Sequence, residues 1–124
     1  MSNSRWFHRL PRLIFWIVMV VMTILFLVPQ QFMSNPIFDW WDKAQHALAF
    51  GVLMLLGFLA YSRAFWKLAM ALILYGVAIE VIQSWTGWRS GELLDAVADA
   101  VGIVLSGLLI QGHGFGRKSH PNSQ

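Results

Sequence analysis

The sequence predicts an all-α fold, a four-helix transmembrane bundle, and three observations carry that expectation. Of the 124 residues, 57% are hydrophobic and only 12% are charged, about half the charge of an ordinary soluble domain. Four apolar segments, each near the ~20 residues that cross a bilayer, are separated by turn signals. The charges are sorted along the chain, with cations concentrated on one side of the expected bundle and acids on the other. The same composition excludes a disordered chain, which needs low hydrophobicity and high charge. The chain has no cysteine, so a disulfide framework, a thiol nucleophile and a zinc–thiolate site are excluded.

The elements follow in order. Residues 1–12 read as a basic tail carrying Arg5, His8, Arg9 and Arg12. From Leu13 to Val28 no residue is charged and only Thr23 is polar, and Pro29, Gln30 and Gln31 end the run. A basic start before an apolar run also describes a signal peptide. The stretch from Val28 to Phe32 offers no pair of small residues for cleavage, so a retained first helix is expected. Its Met19 and Met22 read as lipid-facing. Asn35-Pro36 is a turn signal. A second segment runs from Ala44 to Tyr61, interrupted by Gln45 and His46, and Arg63 and Lys67 flank a short break. A third runs from Leu68 to Trp85 and contains Glu80 and Gln83. The polar stretch from Thr86 to Glu92, with Arg89 in it, is a turn. A fourth runs from Leu93 to Gln111 and contains Asp95 and Asp99. Residues 112–124 read as a second basic tail, with His113 in a loop. The membrane domain is thus 13–111.

Four passes put both tails on one side. That side holds Arg5, Arg9, Arg12, Arg63, Lys67, Arg117 and Lys118, and the other holds only Lys43 and Arg89 among cations. All six acids, Asp39, Asp42, Glu80, Glu92, Asp95 and Asp99, fall on the second side. The positive-inside rule then expects both termini in the cytoplasm. The formal charge of +3 is explained by this sorting, so the expected partner is the lipid bilayer and not nucleic acid. Six of the seven Trp residues lie at or near expected helix ends, with Trp16 well inside a segment.

Length forces some polar residues into the membrane. The stretches from Leu68 to Ile79 and from Ala100 to Ile110 are far short of a bilayer at 1.5 Å per residue. Helices three and four therefore span only if Glu80 and Asp99 lie within them, toward the outer leaflet. An acid at a helix centre costs roughly 2.5–3.5 kcal/mol on insertion scales. That cost is offset if the polar groups face one another. Helical periodicity allows it. Asp95, Asp99, Gly102 and Ser106 share one stripe, Gly76, Glu80 and Gln83 another, and Asp42, His46, Ala49, Leu53 and Gly57 a third. Small residues on each stripe permit close helix approach. One cluster of Asp42, His46, Glu80, Gln83, Asp95 and Asp99 is expected, with Arg89 as countercharge and helix one closing the bundle. Asp42 reads as an N-cap of helix two, and Asp95 as an acid in the first turn of helix four.

The same residues resemble the VanZ-like family. Asp42-Lys43-Ala44-Gln45-His46, followed by Phe50, is similar to its D-K-x-x-H. Glu80-Val81-Ile82-Gln83 is similar to its E-x-x-Q. Arg89 followed by Asp95, Asp99 and Gly102 is similar to its R…D-x-x-x-N-x-x-G. The resemblance runs from about Asp39 to Leu109, and Asp99 departs from it, standing where the family usually has Asn. It implies a bacterial inner-membrane protein in a cell-envelope context, linked to sensitivity to teicoplanin-type glycopeptides. It implies no particular reaction.

Three readings of the cluster stay open at this level. The polar groups are interhelical glue in a structural or assembly protein. Alternatively, His46, Glu80 and Asp95 do acid–base chemistry on a lipid-linked envelope intermediate, with Lys43 and Arg89 on its phosphate. Thirdly, the cluster handles ions. Oxygen-rich ligands would suit a divalent cation such as calcium, magnesium or manganese better than zinc, and carboxylates in a membrane also relay protons. Ser84 and Ser90 read as ordinary interfacial residues. Four helices are few to enclose a site, which leaves a homo-oligomer open.

Overall fold

Every apolar run becomes a helix, and each helix extends beyond the run that marks it. The computed structural model describes residues 3–29, 39–87 and 92–117. They form α1 (Asn3–Leu27), α2 (Asp39–Ala60), α3 (Phe65–Thr86) and α4 (Leu93–Arg117), with no strand among the described residues. All four helices are long and apolar enough to cross a membrane.

The helix ends differ from the sequence reading in an instructive way. α1 begins at Asn3 and not at Leu13, so Arg5, Arg9 and Arg12 ride on a helix. Pro11 lies inside it and forfeits one intrahelical hydrogen bond, because proline has no backbone N–H. α4 continues to Arg117, which places His113, Gly112 and Gly114 on a helix instead of a loop. Apolar length reports how much of a helix lipid can cover, not where the helix stops. α2 starts at Asp39, so Asp42 lies within the helix and is not its N-cap. Asp95 does fall in the first turn of α4. α3 ends at Gly87, whose φ of 74° is left-handed, a conformation glycine reaches without a Cβ clash.

The helices run up and down. Arg12 Nε donates to the Ala60 carbonyl at 3.4 Å, and its guanidinium lies 5.1 Å from the centre of the Tyr61 ring. Trp16 Nε1 donates to the Tyr61 hydroxyl at 3.0 Å. These contacts join the first half of α1 to the end of α2. They also place Trp16 level with the turn after α2, although it lies mid-segment in the sequence. At the opposite end, Gln83 Nε2 donates to the Phe26 carbonyl at 2.7 Å. That carbonyl belongs to the last turn of α1, where the helix has no internal partner to offer. One end of the bundle thus carries Arg5, Arg9, Arg12, Arg63 and Lys67, and the other carries Asp42, Glu80, Glu92, Asp95 and Asp99.

The closest pair is α2 with α4. A Cβ at Gly102 would overlap the Ala47 carbonyl oxygen, so the two backbones touch there. Ser106 Oγ donates to the Gly51 carbonyl at 3.0 Å, in the same seam. This is the small-residue packing that drives helix association where lipid offers no hydrophobic gain. Phe50, Leu53, Met54, Leu72, Ile79 and Ile103 fill the middle of the bundle. Met19 and Met22 are partly buried against that core, contrary to their lipid-facing expectation. Val20, Val21 and Ile24 take the exposed face. α1 has no polar stripe, so nothing in its sequence marks which side turns inward.

Candidate functional site

The acidic end holds a cluster built from three helices and roofed by the fourth. The i, i+4 spacing of helices sets each face. On α4, Asp95, Asp99, Gly102 and Ser106 are all buried. On α3, Gly76, Glu80 and Gln83 are buried, and on α2 so are His46, Ala49, Leu53 and Gly57. The stripes expected from the sequence are the inward faces. Relative exposure is 1% for His46, 1% for Asp99, 3% for Asp95 and 8% for Glu80. Glu80 and Asp99 lie inside α3 and α4, as the span lengths require.

His46 is at the centre. Its Nδ1 lies 2.9 Å from Asp99 Oδ1 and 4.0 Å from Glu80 Oε1. With Asp99 ionised, the Nδ1–H donates and Nε2 keeps the ring's second polar position. The Phe26 ring of α1 stacks on the imidazole, with centroids 4.4 Å apart and planes 24° from parallel. Phe50 lies beneath, 6.0 Å from Phe26 and 5.6 Å from Tyr75. Asp99 leans against α3 at Gly76, where a Cβ would come within 2.9 Å of Asp99 Oδ2 and 3.2 Å of the Phe50 ring. Glycine at that position is what leaves room for the carboxylate.

Lys43 sits at the mouth. Its Nζ donates to Glu92 Oε2 at 3.1 Å and pairs with Asp95 Oδ1 at 3.7 Å. One ammonium group is therefore divided between Glu92, just before α4, and Asp95 in its first turn. Asp42, partly exposed, lies near His46 and Asp95. Several buried polar atoms have no hydrogen-bond partner among the described residues: His46 Nε2, both Glu80 carboxyl oxygens, Gln83 Oε1, Asp95 Oδ1 and Asp99 Oδ2. Buried polar atoms are normally paired, because leaving one unmade costs about 1–3 kcal/mol. So many in one place mark a region not optimised for packing alone.

The cluster brings together His46, Glu80, Gln83, Asp95 and Asp99, with Asp42 and Lys43 at its rim. Arg89, the expected countercharge, lies outside the described residues, as does Ser90. Two details differ from the sequence reading. The direct partner of His46 is Asp99, not Glu80 or Asp95, the two acids grouped with it in the acid–base reading. Gln83 turns its amide to the end of α1. Ser84 bonds the Glu80 carbonyl of its own helix at 2.9 Å, which fits the ordinary role expected for it.

Phe26 and Glu92 were not singled out by sequence. Phe26 gave one weak signal, an aromatic residue near the outer end of the first segment, level with His46 one helix on. Two groups in the cluster, Asp42/His46/Asp95 and His46/Glu80/Asp99, each have one ligand-type atom per residue within 4.8 Å of the others. Both are compatible with coordination of a metal ion. The arrangement can therefore hold a proton, orient a neutral imidazole, or bind a cation. No family model, curated protein or solved structure matches this chain.

Proposed function

We propose that this chain is a VanZ-like multi-pass protein of the bacterial inner membrane, acting in cell-envelope biology and setting sensitivity to teicoplanin-type glycopeptides. Both termini lie in the cytoplasm in this reading, because the basic end of the bundle is the one that positive charge retains there. The acidic end then faces the envelope, where Lys43 and Glu92 mark the mouth of the site. A divalent cation is the one cofactor this reading admits. The observation that carries it is the buried His46–Asp99 pair flanked by Glu80 and Asp95, with polar atoms left over on each residue. Intramembrane ionisable groups gathered this way are functional by default. The order and spacing of the three short motifs support the family reading, and their described residues Asp42, His46, Glu80, Gln83, Asp95 and Asp99 lie together in the fold.

The test is alanine replacement in cells that depend on the protein for glycopeptide tolerance. His46→Ala and Glu80→Ala are expected to leave the protein abundant and membrane-inserted while tolerance is lost. Loss of abundance in parallel with tolerance would instead assign the cluster to holding the bundle together.

One observation favours a second reading, an acid–base enzyme acting on a lipid-linked envelope substrate. An imidazole held at Nδ1 by a carboxylate has a fixed tautomer and an available Nε2, the arrangement general-base catalysis uses. His46 has this arrangement, and its Nε2 is unpartnered. In this reading His46 is the base, Asp99 orients it, and Glu80 and Asp95 are further proton carriers. Lys43 binds the substrate phosphate. Purified protein would then turn over lipid-linked phosphates, and His46→Ala would abolish turnover. The transport alternative has less support, because Phe50, Leu53, Met54 and Leu72 fill the bundle between the cluster and the basic end.

A further inference from the structure

Carboxyl groups are rarely buried without a countercharge. Among the described residues, Glu80, Asp95 and Asp99 are buried round one imidazole, and Lys43 is divided between Asp95 and Glu92 at the rim. An isolated buried carboxylate costs several kcal/mol even after the protein relaxes. Protonation removes that cost, and so does a bound cation.

The positions of the donor atoms fit a bound cation. Ligands bound to one first-row ion at about 2.1 Å lie no more than roughly 4.2 Å apart, and adjacent ones about 3 Å apart. His46 Nδ1 is 2.9 Å from Asp99 Oδ1 and 4.0 Å from Glu80 Oε1, inside that range without movement of any helix. Both Glu80 oxygens and Asp99 Oδ2 have no hydrogen-bond partner, and both residues are more than nine-tenths buried. Glu80 Oε1 thus faces the imidazole. Packing also favours this arrangement. Gly76 leaves room for the Asp99 carboxylate, and Phe26 fixes the plane of the imidazole.

We infer that His46, Glu80 and Asp99 form a binding site for a divalent cation of the manganese class, with Asp95 and Asp42 as the nearest further carboxylates. The inference rests on the reading of this cluster as a working site and deepens it by naming a ligand. The donor set fixes the class of ion. Carboxylate oxygens suit hard cations, and a thiolate-preferring ion finds no cysteine here. The imidazole nitrogen separates manganese from calcium, which takes oxygen ligands at 2.3–2.6 Å. The Phe26 ring covers one face of the imidazole, and Phe50 packs against Phe26 in turn.

The experiment is a titration of the purified full-length protein in detergent with manganese chloride. Free Mn²⁺ is read by electron paramagnetic resonance, since the bound ion loses its sharp signal. One ion per chain is expected. Glu80→Gln and Asp99→Asn keep the shape of each side chain and are each expected to weaken binding at least tenfold, with the protein still monodisperse. Arg63→Ala, at the other end of the bundle, is expected to bind as the parent does. Calcium at equal concentration should leave the manganese bound. Binding that is unchanged in both variants, or no binding by the parent, overturns the site. Displacement by equimolar calcium overturns the role of the imidazole. None of these results moves the glycopeptide phenotype of His46→Ala, so failure of the cation site and failure of the envelope role are read separately.

Discussion

The two ends of the bundle solve the same problem in opposite ways. At the basic end, the described polar side chains that lie against the fold find partners. Arg12 has the Ala60 carbonyl and the face of Tyr61, and Trp16 has the Tyr61 hydroxyl. The remaining charges, such as Arg9, Arg63 and Lys67, are exposed. At the acidic end, charge is turned inward, and polar atoms on His46, Glu80, Gln83, Asp95 and Asp99 are left without a hydrogen bond. The same helices carry both ends, so the difference does not come from their propensity or their apolar faces. The basic end is built to be held at an interface. At the acidic end, buried polar side chains occupy positions that a bundle held by packing alone would fill with apolar ones.

This contrast can be broken most severely at the seam that joins the two ends. Gly102→Val drives a side chain into the Ala47 carbonyl, where even a Cβ has no room. A loss of at least about 3 kcal/mol is expected, seen as collapse of the folded fraction in detergent. Phe26→Ala acts next, at the acidic end alone. It removes the ring stacked on His46 and is expected to cost at least about 1 kcal/mol, measured by unfolding in SDS. Gly76→Ala is expected to leave the fold in place and displace the Asp99 carboxylate, since that group lies nearest the new methyl, with the Phe50 ring next. Its readout is a loss of glycopeptide tolerance greater than any loss of abundance. Trp16→Phe, at the basic end, deletes one partly exposed hydrogen bond and is expected to cost only about 0.6 kcal/mol.

Much of the architecture was legible in the sequence because lipid imposes a simple rule. A run without charge must be covered by hydrocarbon, and its length decides whether it spans. That rule located four helices and forced Glu80 and Asp99 into α3 and α4. The small-residue stripes then identified the inward faces, because Gly102, Gly76 and Gly57 share a side with the polar groups. The helix ends were not legible, since α1 begins at Asn3 and α4 ends at Arg117, beyond their apolar runs, and nothing in a hydropathy pattern reports that. The facing side of α1 was hidden for a related reason. Apart from Thr23, which bonds the Tyr75 hydroxyl of α3, its residues from Leu13 to Val28 are apolar, so Phe26, Met19 and Met22 could not be told from Val20 or Ile24. The pairing of His46 with Asp99 depends on how far α2 and α4 slide past each other. That offset is set by the contact of Gly102 with Ala47, a three-dimensional fit that no spacing within one helix encodes.

The central claim is that the acidic cluster is maintained for work and not as glue. Its most direct test compares the parent with the paired variant Glu80→Gln and Asp99→Asn, both in chelator, by unfolding in SDS. The account predicts that the pair unfolds no more easily than the parent, within about 0.6 kcal/mol, while glycopeptide tolerance is lost. A fall of about 2 kcal/mol or more, with tolerance lost only in proportion to abundance, would contradict it.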